Sequence, residues 1–197
     1  FARFVIAPGD HEEEFYATAN AFNLADRWQC PAIVLSDKYL NDGYSTVDID
    51  ESKVKIDRGL LMTEEQAAKE TDYKRYKWTE NGVSPRAVPG MPNCLHVTVG
   101  DEHEEHGRIN EEADVKTKMT DKRNDKMRFS LKELPEPVLY GPKEAEITLV
   151  CWGSTKGPAL EALIELEKMG VKANCLHFII NFKVSNTKSS KMQTNYV

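Results

Sequence analysis

The residues with the clearest potential for chemistry lie in the acidic segment GDEHEEHG, which spans residues 100–107. Its two histidines, His103 and His106, are three positions apart, so on a helix both side chains would share one face. Imidazole and carboxylate groups bind transition metals when they converge on one point. The HExxH spacing of zinc enzymes is absent. We therefore predict a solvated acidic turn, keep metal binding as the alternative, and assign no metal ligand.

Arg86 is the candidate substrate-binding residue. It lies in VSPRAVPG, residues 83–90, where two prolines restrict the backbone and make the loop rigid. A guanidinium group can bind a carboxylate through two parallel hydrogen bonds. The alternative is an ordinary salt bridge within the loop, which is the commoner use of such a residue. No nucleophile–base pair can be identified, so we name no catalytic residue.

Two further segments could bind an anion or a nucleotide. Residues 153–157, GSTKG, precede a helix whose free N–H groups and dipole favour negative charge, but the Walker A pattern is absent. Residues 73–78, YKRYKW, alternate bases with aromatic rings. We prefer a structural interpretation for both. The first is a tight turn, and the second packs its aromatic rings on a neighbouring domain.

The element around which the chain is organised is a strand, turn and helix near its C-terminal end. The apolar run ITLVCW, residues 147–152, predicts a strand buried on both faces of a parallel sheet. Pro158 is tolerated in the first turn of the following helix, and Gly170 is placed to end that helix in a left-handed conformation. Residues 171–180 supply the next strand.

The first 40 residues predict a β-α-β unit. Residues 4–7 form a strand, and Asp10 with Glu13 forms a capping box for a helix that ends at Trp28. A second strand follows at 32–36. The apolar face of the helix is expected to contain Phe15, Ala19, Phe22 and Ala25.

The middle of the chain is rich in charge and turn signals, which indicates a connector with one long helix at 111–134 lying against another body. After residue 180 we expect a short helix at 186–192 and a strand at 194–197. The sequence therefore predicts an α/β chain in three parts, residues 1–47, 48–139 and 140–197. Both ends interrupt a domain, so we expect a fragment of a longer protein.

Composition limits the classes of partner. The chain has 197 residues, 40% apolar and 29% charged, which is typical of a globular protein. Its net charge of −6 argues against nucleic-acid or anionic-membrane partners, and no apolar run approaches the ~20 residues of a membrane span. The four cysteines are far apart and form no CxxC pair, so a disulfide scaffold is not expected and a reducing cytoplasm fits.

Five segments, taken together and in order, resemble the α subunit of the 2-oxoacid:ferredoxin oxidoreductases, particularly the 2-oxoglutarate and two-subunit types. They are FVIAPGDHEEEFYATANAFNLA, PAIVLSDKYL, TENGVSPRAVPG, GDEHEEHG and ITLVCWGSTKGPALEAL. The resemblance extends to about residue 180. It implies the end of a pyrimidine-binding domain for thiamine diphosphate at 1–47 and a truncated transketolase-C-like domain at 140–197.

The resemblance also implies an activity. The family oxidatively decarboxylates a 2-oxoacid to an acyl-CoA, using thiamine diphosphate with Mg²⁺ and coenzyme A. Electrons pass to ferredoxin through an iron–sulfur cluster in the partner β subunit, so a hetero-oligomer is expected. The family's Tyr-Pro-Ile-Thr-Pro motif and its substrate-contacting arginine lie upstream of Phe1. We therefore carry over no cofactor-binding residue, and expect the isolated chain to be inactive.

Two alternatives remain open. The chain could be the C-terminal part of another thiamine-dependent enzyme, such as a transketolase or a dehydrogenase E1 component. It could also be a non-enzymatic interaction module that uses residues 140–197. The segments TENGVSPRAVPG and GDEHEEHG argue against the first alternative.

Overall fold

The computed structural model describes residues 1–181, and only the backbone at residue 181. The elements expected at 186–192 and 194–197 lie outside the described residues. The strands are β1 Phe4–Ile6, β2 Ala32–Val34, β3 Val138–Tyr140, β4 Ile147–Trp152, β5 Ala173–Phe178 and β6 Ile180–Asn181. The helices are α1 His11–Trp28, α2 Lys38–Asp42, α3 Glu64–Ala68, α4 Ala113–Ser130 and α5 Lys156–Lys168. Short 3-10 turns occur at Glu51–Lys53 and Gly153–Thr155.

The predicted β-α-β unit at the start of the chain is confirmed. Strands β1 and β2 are parallel, with Phe4 opposite Ala32, and α1 connects them. The carboxylate of Asp10 accepts a hydrogen bond of 2.8 Å from the Glu13 N–H, as expected of an N-cap. The Glu13 carboxylate in turn accepts a hydrogen bond of 2.8 Å from the Gly9 N–H, one residue before the N-cap.

The predicted apolar face of α1 is wrong. Phe15 and Phe22 are 42% and 74% exposed. The buried face instead consists of Ala17, Ala21, Leu24 and Trp28. Small alanine side chains let the helix approach β1 and β2 closely, whereas the larger phenylalanines point away from this sheet. Periodicity shows that an apolar stripe exists but does not show which stripe faces the sheet.

The third strand of the first sheet comes from the far end of the described chain. Strand β6 pairs antiparallel with β1, placing Ile180 opposite Ile6, and the order is β2-β1-β6. The Ala7 N–H donates to the Ile179 carbonyl at 2.7 Å. The main hydrophobic core contains Phe4, Ile6, Ala17, Ala21, Leu24, Trp28, Val83 and Ile180. The predicted division of the chain at residue 140 stays a prediction. Strand β6 follows that residue in the sequence but pairs with β1, which precedes it.

The second sheet has the order β3-β5-β4. Strands β4 and β5 are parallel, as predicted, but β3 is antiparallel to β5 and was not foreseen. The expectation that β4 is buried on both faces is wrong for the described residues. Cys151 is buried, whereas Val150 and Trp152 are 63% and 56% exposed, because no described layer covers that outer face.

Helix α5 begins at Lys156, so Pro158 is its third residue and still lies in the first turn, where backbone N–H groups have no helical partner. Gly170 has φ +78°, which confirms the left-handed ending. The two buried cysteines of this sheet, Cys151 and Cys175, are free thiols with their sulfurs 3.3 Å apart. Both thiols are buried and act as small apolar groups of the interior.

The middle of the chain folds into loops and short helices around a small second core. Its buried members are Met62, Ala67, Tyr73, Ala87 and Cys94. The Tyr73 hydroxyl donates to the Pro85 carbonyl at 3.1 Å and accepts from the Ala87 N–H at 2.9 Å. The Trp78 indole N–H contacts the Met119 sulfur on α4 at 3.2 Å. The segment 73–78 therefore packs its aromatic rings, although it is not a helix.

The single long helix of this region, α4, is shorter than predicted and lies against the first sheet. Val115 and Met119 are buried, and Met127 packs on the main core. Its mostly charged composition reflects one face turned to solvent. Within residues 1–181 none of the helices is long and apolar enough to cross a bilayer.

Candidate functional site

Arg86 has a fixed backbone and a mostly buried guanidinium. Its N–H donates to the Leu60 carbonyl at 2.9 Å, and its own carbonyl accepts from the Met62 N–H at 3.0 Å. The side chain is 20% exposed, and its Nη2 lies 3.3 Å from Oδ1 of Asp26. The structure thus shows the salt bridge that the sequence offered as the alternative.

Asp26 is shared by two guanidinium groups. Its second oxygen, Oδ2, lies 2.7 Å from Nε of Arg58. Next to it, Arg27 is paired with Asp57 and Glu133, each at 2.8 Å. Three cations and three carboxylates therefore balance across this network. A substrate carboxylate that binds Arg86 would compete with Asp26 for Nη2 of the guanidinium.

The acidic segment at 100–107 is a turn and not a helix. The Glu104 N–H donates to the Arg108 carbonyl and the Gly107 N–H donates to the Glu104 carbonyl, both at 3.0 Å. His106 is held from both sides, by Glu104 at Nδ1 (2.9 Å) and by Asp72 at Nε2 (2.8 Å). The hydrogen bond to Asp72, and then that to Glu104, raises the pKa of His106.

The remaining ligand candidates of this turn are also engaged. Glu102 accepts two hydrogen bonds from Arg123, at 2.9 and 2.7 Å, which lowers the pKa of Glu102. His103 places Nδ1 3.1 Å from the Asp101 carbonyl, and its ring packs against Tyr76 in a tilted arrangement with ring centroids 4.2 Å apart. In the described part of the chain, no three His, Cys, Asp or Glu side chains converge to hold a metal ion.

We expect zinc to leave the melting temperature of this chain unchanged. A ligand stabilises the native state only if it binds that state, and the donors of residues 100–107 are already bonded to Asp72, Arg123 and one another. Thermal unfolding with and without equimolar ZnCl₂ measures the effect. A rise that disappears when both His103 and His106 are replaced by Ala would contradict this expectation.

The turn at 153–157 leads to a cation that the sequence analysis did not single out. The Lys156 ammonium lies 2.5 Å from Oδ2 of Asp10 and 2.5 Å from Oε1 of Glu13. Burial opposes the charged form, yet the hydrogen bonds to Asp10 and Glu13 raise the pKa of Lys156. The Lys156 charge is therefore directed to the start of α1, and it links α1 to α5.

His177 lies beside this linkage and is fully buried. Neither ring nitrogen has a hydrogen-bond partner among the described residues, and burial lowers the pKa of His177. Gly9 permits the close packing, since a Cβ there would lie 2.6 Å from Cδ of Lys156 and 2.9 Å from the His177 ring. No local sequence signal pointed to Lys156, because its partners are more than 140 residues away.

Comparison with known proteins identifies the family. A profile described as pyruvate flavodoxin/ferredoxin oxidoreductase, thiamine diphosphate-binding, matches residues 1–122, which is well over half of the chain. The chain belongs to this family. The matched range includes the β-α-β unit, the acidic turn and all of the Arg86 network except Glu133, and it continues into α4.

Curated relatives agree. The α subunit of 2-oxoacid:ferredoxin oxidoreductase 2 of Aeropyrum pernix is 41% identical over 177 residues, covering 87% of this chain and 27% of that protein. The corresponding α subunit of Saccharolobus solfataricus is 38% identical over 178 residues, again covering 87% of this chain and 27% of that protein. The chain thus spans a little over a quarter of the length of these relatives. The resemblance inferred from the sequence is confirmed at the level of these α subunits.

A solved structure also matches. The 2-oxoglutarate:ferredoxin oxidoreductase from Magnetococcus marinus, determined with 2-oxoglutarate, coenzyme A and succinyl-CoA bound, superposes with a TM-score of 0.81. The two chains are 29% identical, and the match covers 92% of this chain and 31% of the Magnetococcus marinus chain. The predicted α/β fold class is confirmed.

Proposed function

We propose that this chain is part of the α subunit of a 2-oxoacid:ferredoxin oxidoreductase. The observation that carries the proposal is the 41% identity that extends over 87% of the chain to an α subunit of this activity. The reaction would oxidatively decarboxylate a 2-oxoacid in the presence of coenzyme A, form an acyl-CoA and reduce ferredoxin. The bound 2-oxoglutarate in the Magnetococcus marinus enzyme supports 2-oxoglutarate as the substrate.

The described residues fit only part of the cofactor set. Thiamine diphosphate, when bound, supplies the centre that stabilises the carbanion formed on decarboxylation. Its diphosphate needs Mg²⁺, yet no metal-holding group of carboxylates is present within residues 1–181. We infer that other parts of the assembly hold the diphosphate and the Mg²⁺. The role of this chain is then to supply the rigid β-α-β scaffold beside them.

The same reasoning assigns the electron carriers to partners. The four cysteines are free, and among the described residues they form only the pair Cys151 and Cys175. A cluster held by this chain would need more converging thiolates. The proposal therefore places the iron–sulfur cluster in a β subunit and ferredoxin beyond it, in a hetero-oligomer. It includes no membrane or nucleic-acid partner, and it places the complex in the cytoplasm.

The test is an activity assay of the α subunit containing this segment, copurified with its β subunit. We expect reduction of ferredoxin or methyl viologen that requires both 2-oxoglutarate and coenzyme A. The 197-residue chain alone is expected to be inactive. Ketol transfer without electron transfer would instead favour a transketolase. Failure of a cysteine-rich β subunit to copurify, together with no activity, would favour a non-enzymatic interaction module.

Arg86 is the proposed substrate contact within this chain. In the assembled enzyme, Arg86→Lys is expected to raise the KM for the 2-oxoacid about tenfold or more and to change kcat little, since the lost bidentate contact is to bound substrate. Arg58→Lys is the matched control, because Arg58 shares the Asp26 partner. Equal effects of the two substitutions on KM, or effects on stability alone, would make Arg86 a structural residue.

A further inference from the structure

A cavity of about 220 Å³ lies between the C-terminal end of α1 and helix α4. We refer to it as the basic cavity. Its lining includes Lys122, Arg123 and Lys126 but contains neither Asp nor Glu. This is unusual for a chain whose net charge is −6. The other lining residues are Phe1, Ala2, Gln29, Cys30, Pro31, Tyr76, His103 and Met119.

The three cations of the basic cavity differ in how their charge is balanced. Arg123 is neutralised by Glu102, which accepts two of its hydrogen bonds. Lys122 and Lys126 are only 8% and 6% exposed. Neither has a carboxylate within salt-bridge distance among the residues that the structure describes, so each ammonium group, when protonated, is buried here without an anionic partner.

Each lysine makes one hydrogen bond to a backbone carbonyl. Lys122 donates to Gly82 at 3.0 Å, and Lys126 donates to Gln29 at 2.7 Å, at the end of α1. A protonated ammonium group has three donors, so two on each lysine have no partner within residues 1–181. A buried charge is costly unless it is paired and its donors are satisfied. An anion in the cavity would satisfy both requirements.

The surrounding charges favour an anion as well. Burial, followed by the neighbouring cations Lys126, Arg75 and Arg123, lowers the pKa of Lys122 to about 7, and only Glu105 opposes this. Burial also lowers the pKa of Lys126 to about 8, against the opposing effect of Cys30. Arg75 itself donates to the Gln29 side chain at 3.2 Å and not to a carboxylate.

We propose that the basic cavity binds a small organic anion, whose phosphate or carboxylate oxygens accept hydrogen bonds from Lys122 and Lys126. The cavity is several times larger than a lone carboxylate or phosphate group needs, so its apolar walls would hold the rest of the molecule. Pro31, Tyr76 and Met119 supply these walls. The site contains neither Arg86 nor Asp26 and is independent of the proposed substrate contact.

Isothermal titration of the chain with three benzene derivatives tests this proposal. Phenyl phosphate and benzoate carry the two candidate anionic groups, and benzyl alcohol is the neutral control. We expect saturable 1:1 binding of at least one anion, with benzyl alcohol at least tenfold weaker. The tighter of the two anions identifies whether the site takes phosphate or carboxylate oxygens. Equal binding of all three would show an apolar pocket only and overturn the proposal.

Proton uptake provides a second readout that needs no variant. A bound anion raises the pKa of each lysine, so at pH 8 binding should draw protons from the buffer. His103 also lines the cavity. The apparent binding enthalpy should therefore differ between Tris and HEPES buffers. Identical enthalpies in both would contradict anion binding at the buried lysines.

Substitutions then locate the site. Lys122→Met and Lys126→Met keep the length and apolar part of each side chain, and we expect each to weaken anion binding at least tenfold. Lys116→Met, an exposed position on the same helix, is the matched control and should bind as the unmodified chain does. Unchanged affinity in both cavity variants would show that these lysines serve only the backbone carbonyls of Gly82 and Gln29.

Discussion

Replacing Phe4 by Ala is expected to lower the free energy of unfolding by about 3–5 kcal/mol. Phe4 is fully buried in β1, the central strand of the first sheet, where it packs in the main core. The substitution removes apolar contacts and leaves a cavity that a close-packed interior fills only in part. This loss is a large share of the ~5–15 kcal/mol that usually stabilises a domain. Urea unfolding followed by circular dichroism measures it.

Phe22→Ala is the matched control for this prediction. It makes the same chemical change on α1 at a side chain that is 74% exposed, so a loss under about 0.5 kcal/mol is expected. The pair also tests which face of α1 meets the sheet. If Phe22→Ala were the more damaging substitution, the buried face of α1 would have been assigned wrongly.

Replacing Lys156 by Met is expected to lower the free energy of unfolding by about 2–3 kcal/mol. Breaking a buried ion pair costs about 3–5 kcal/mol, and we discount this because Asp10 is 45% exposed and can be rehydrated. The substitution leaves the carboxylates of Asp10 and Glu13 without their shared cation. Unfolding in urea at pH 7 measures the loss.

The pH dependence of this linkage provides a check. The hydrogen bond from the Glu13 N–H and the Lys156 ammonium outweigh the effect of burial and lower the pKa of Asp10. Stability from this carboxylate is therefore present above its unfolded pKa, near 3.9, and is lost as the pH falls through the lower folded value.

Lys168→Met, at the exposed end of α5, is the matched control for Lys156→Met and should change the free energy of unfolding little. Equal losses in both variants would show that the linkage adds no stability.

The features predicted correctly from the sequence are those that depend on neighbours along the chain. The Asp10 cap and the left-handed Gly170 each follow from residues within one or two turns, and the β-α-β unit follows from three consecutive elements within the first 34 residues. Such patterns act through local backbone geometry, so a single sequence is enough to recognise them. The family was also recognisable, because five ordered segments constrain it jointly.

The features that sequence reasoning missed depend on distant contacts. Strand β3 is short and runs antiparallel, and nothing in its three residues distinguishes it from the end of a loop. In the sequence, nothing distinguishes Lys156 from an ordinary turn residue, because only the fold brings Asp10 beside it. The basic cavity likewise requires the C-terminal end of α1 to lie beside the middle of α4. The polar composition of α4 indicated a helix lying against another body, but it did not indicate that packing would bury two of its lysines.

The pairing of β6 with β1 has a consequence for biosynthesis. Ile180 is made about 170 residues after its partner Ile6. At common translation speeds of about 5–20 residues per second, β1 remains without this neighbouring strand for roughly 10–35 s while the chain is being synthesised. During that interval one side of the strand carries unpaired N–H and C=O groups that can recruit strands of other nascent chains. Protection by a chaperone would matter most for this stretch of the growing chain.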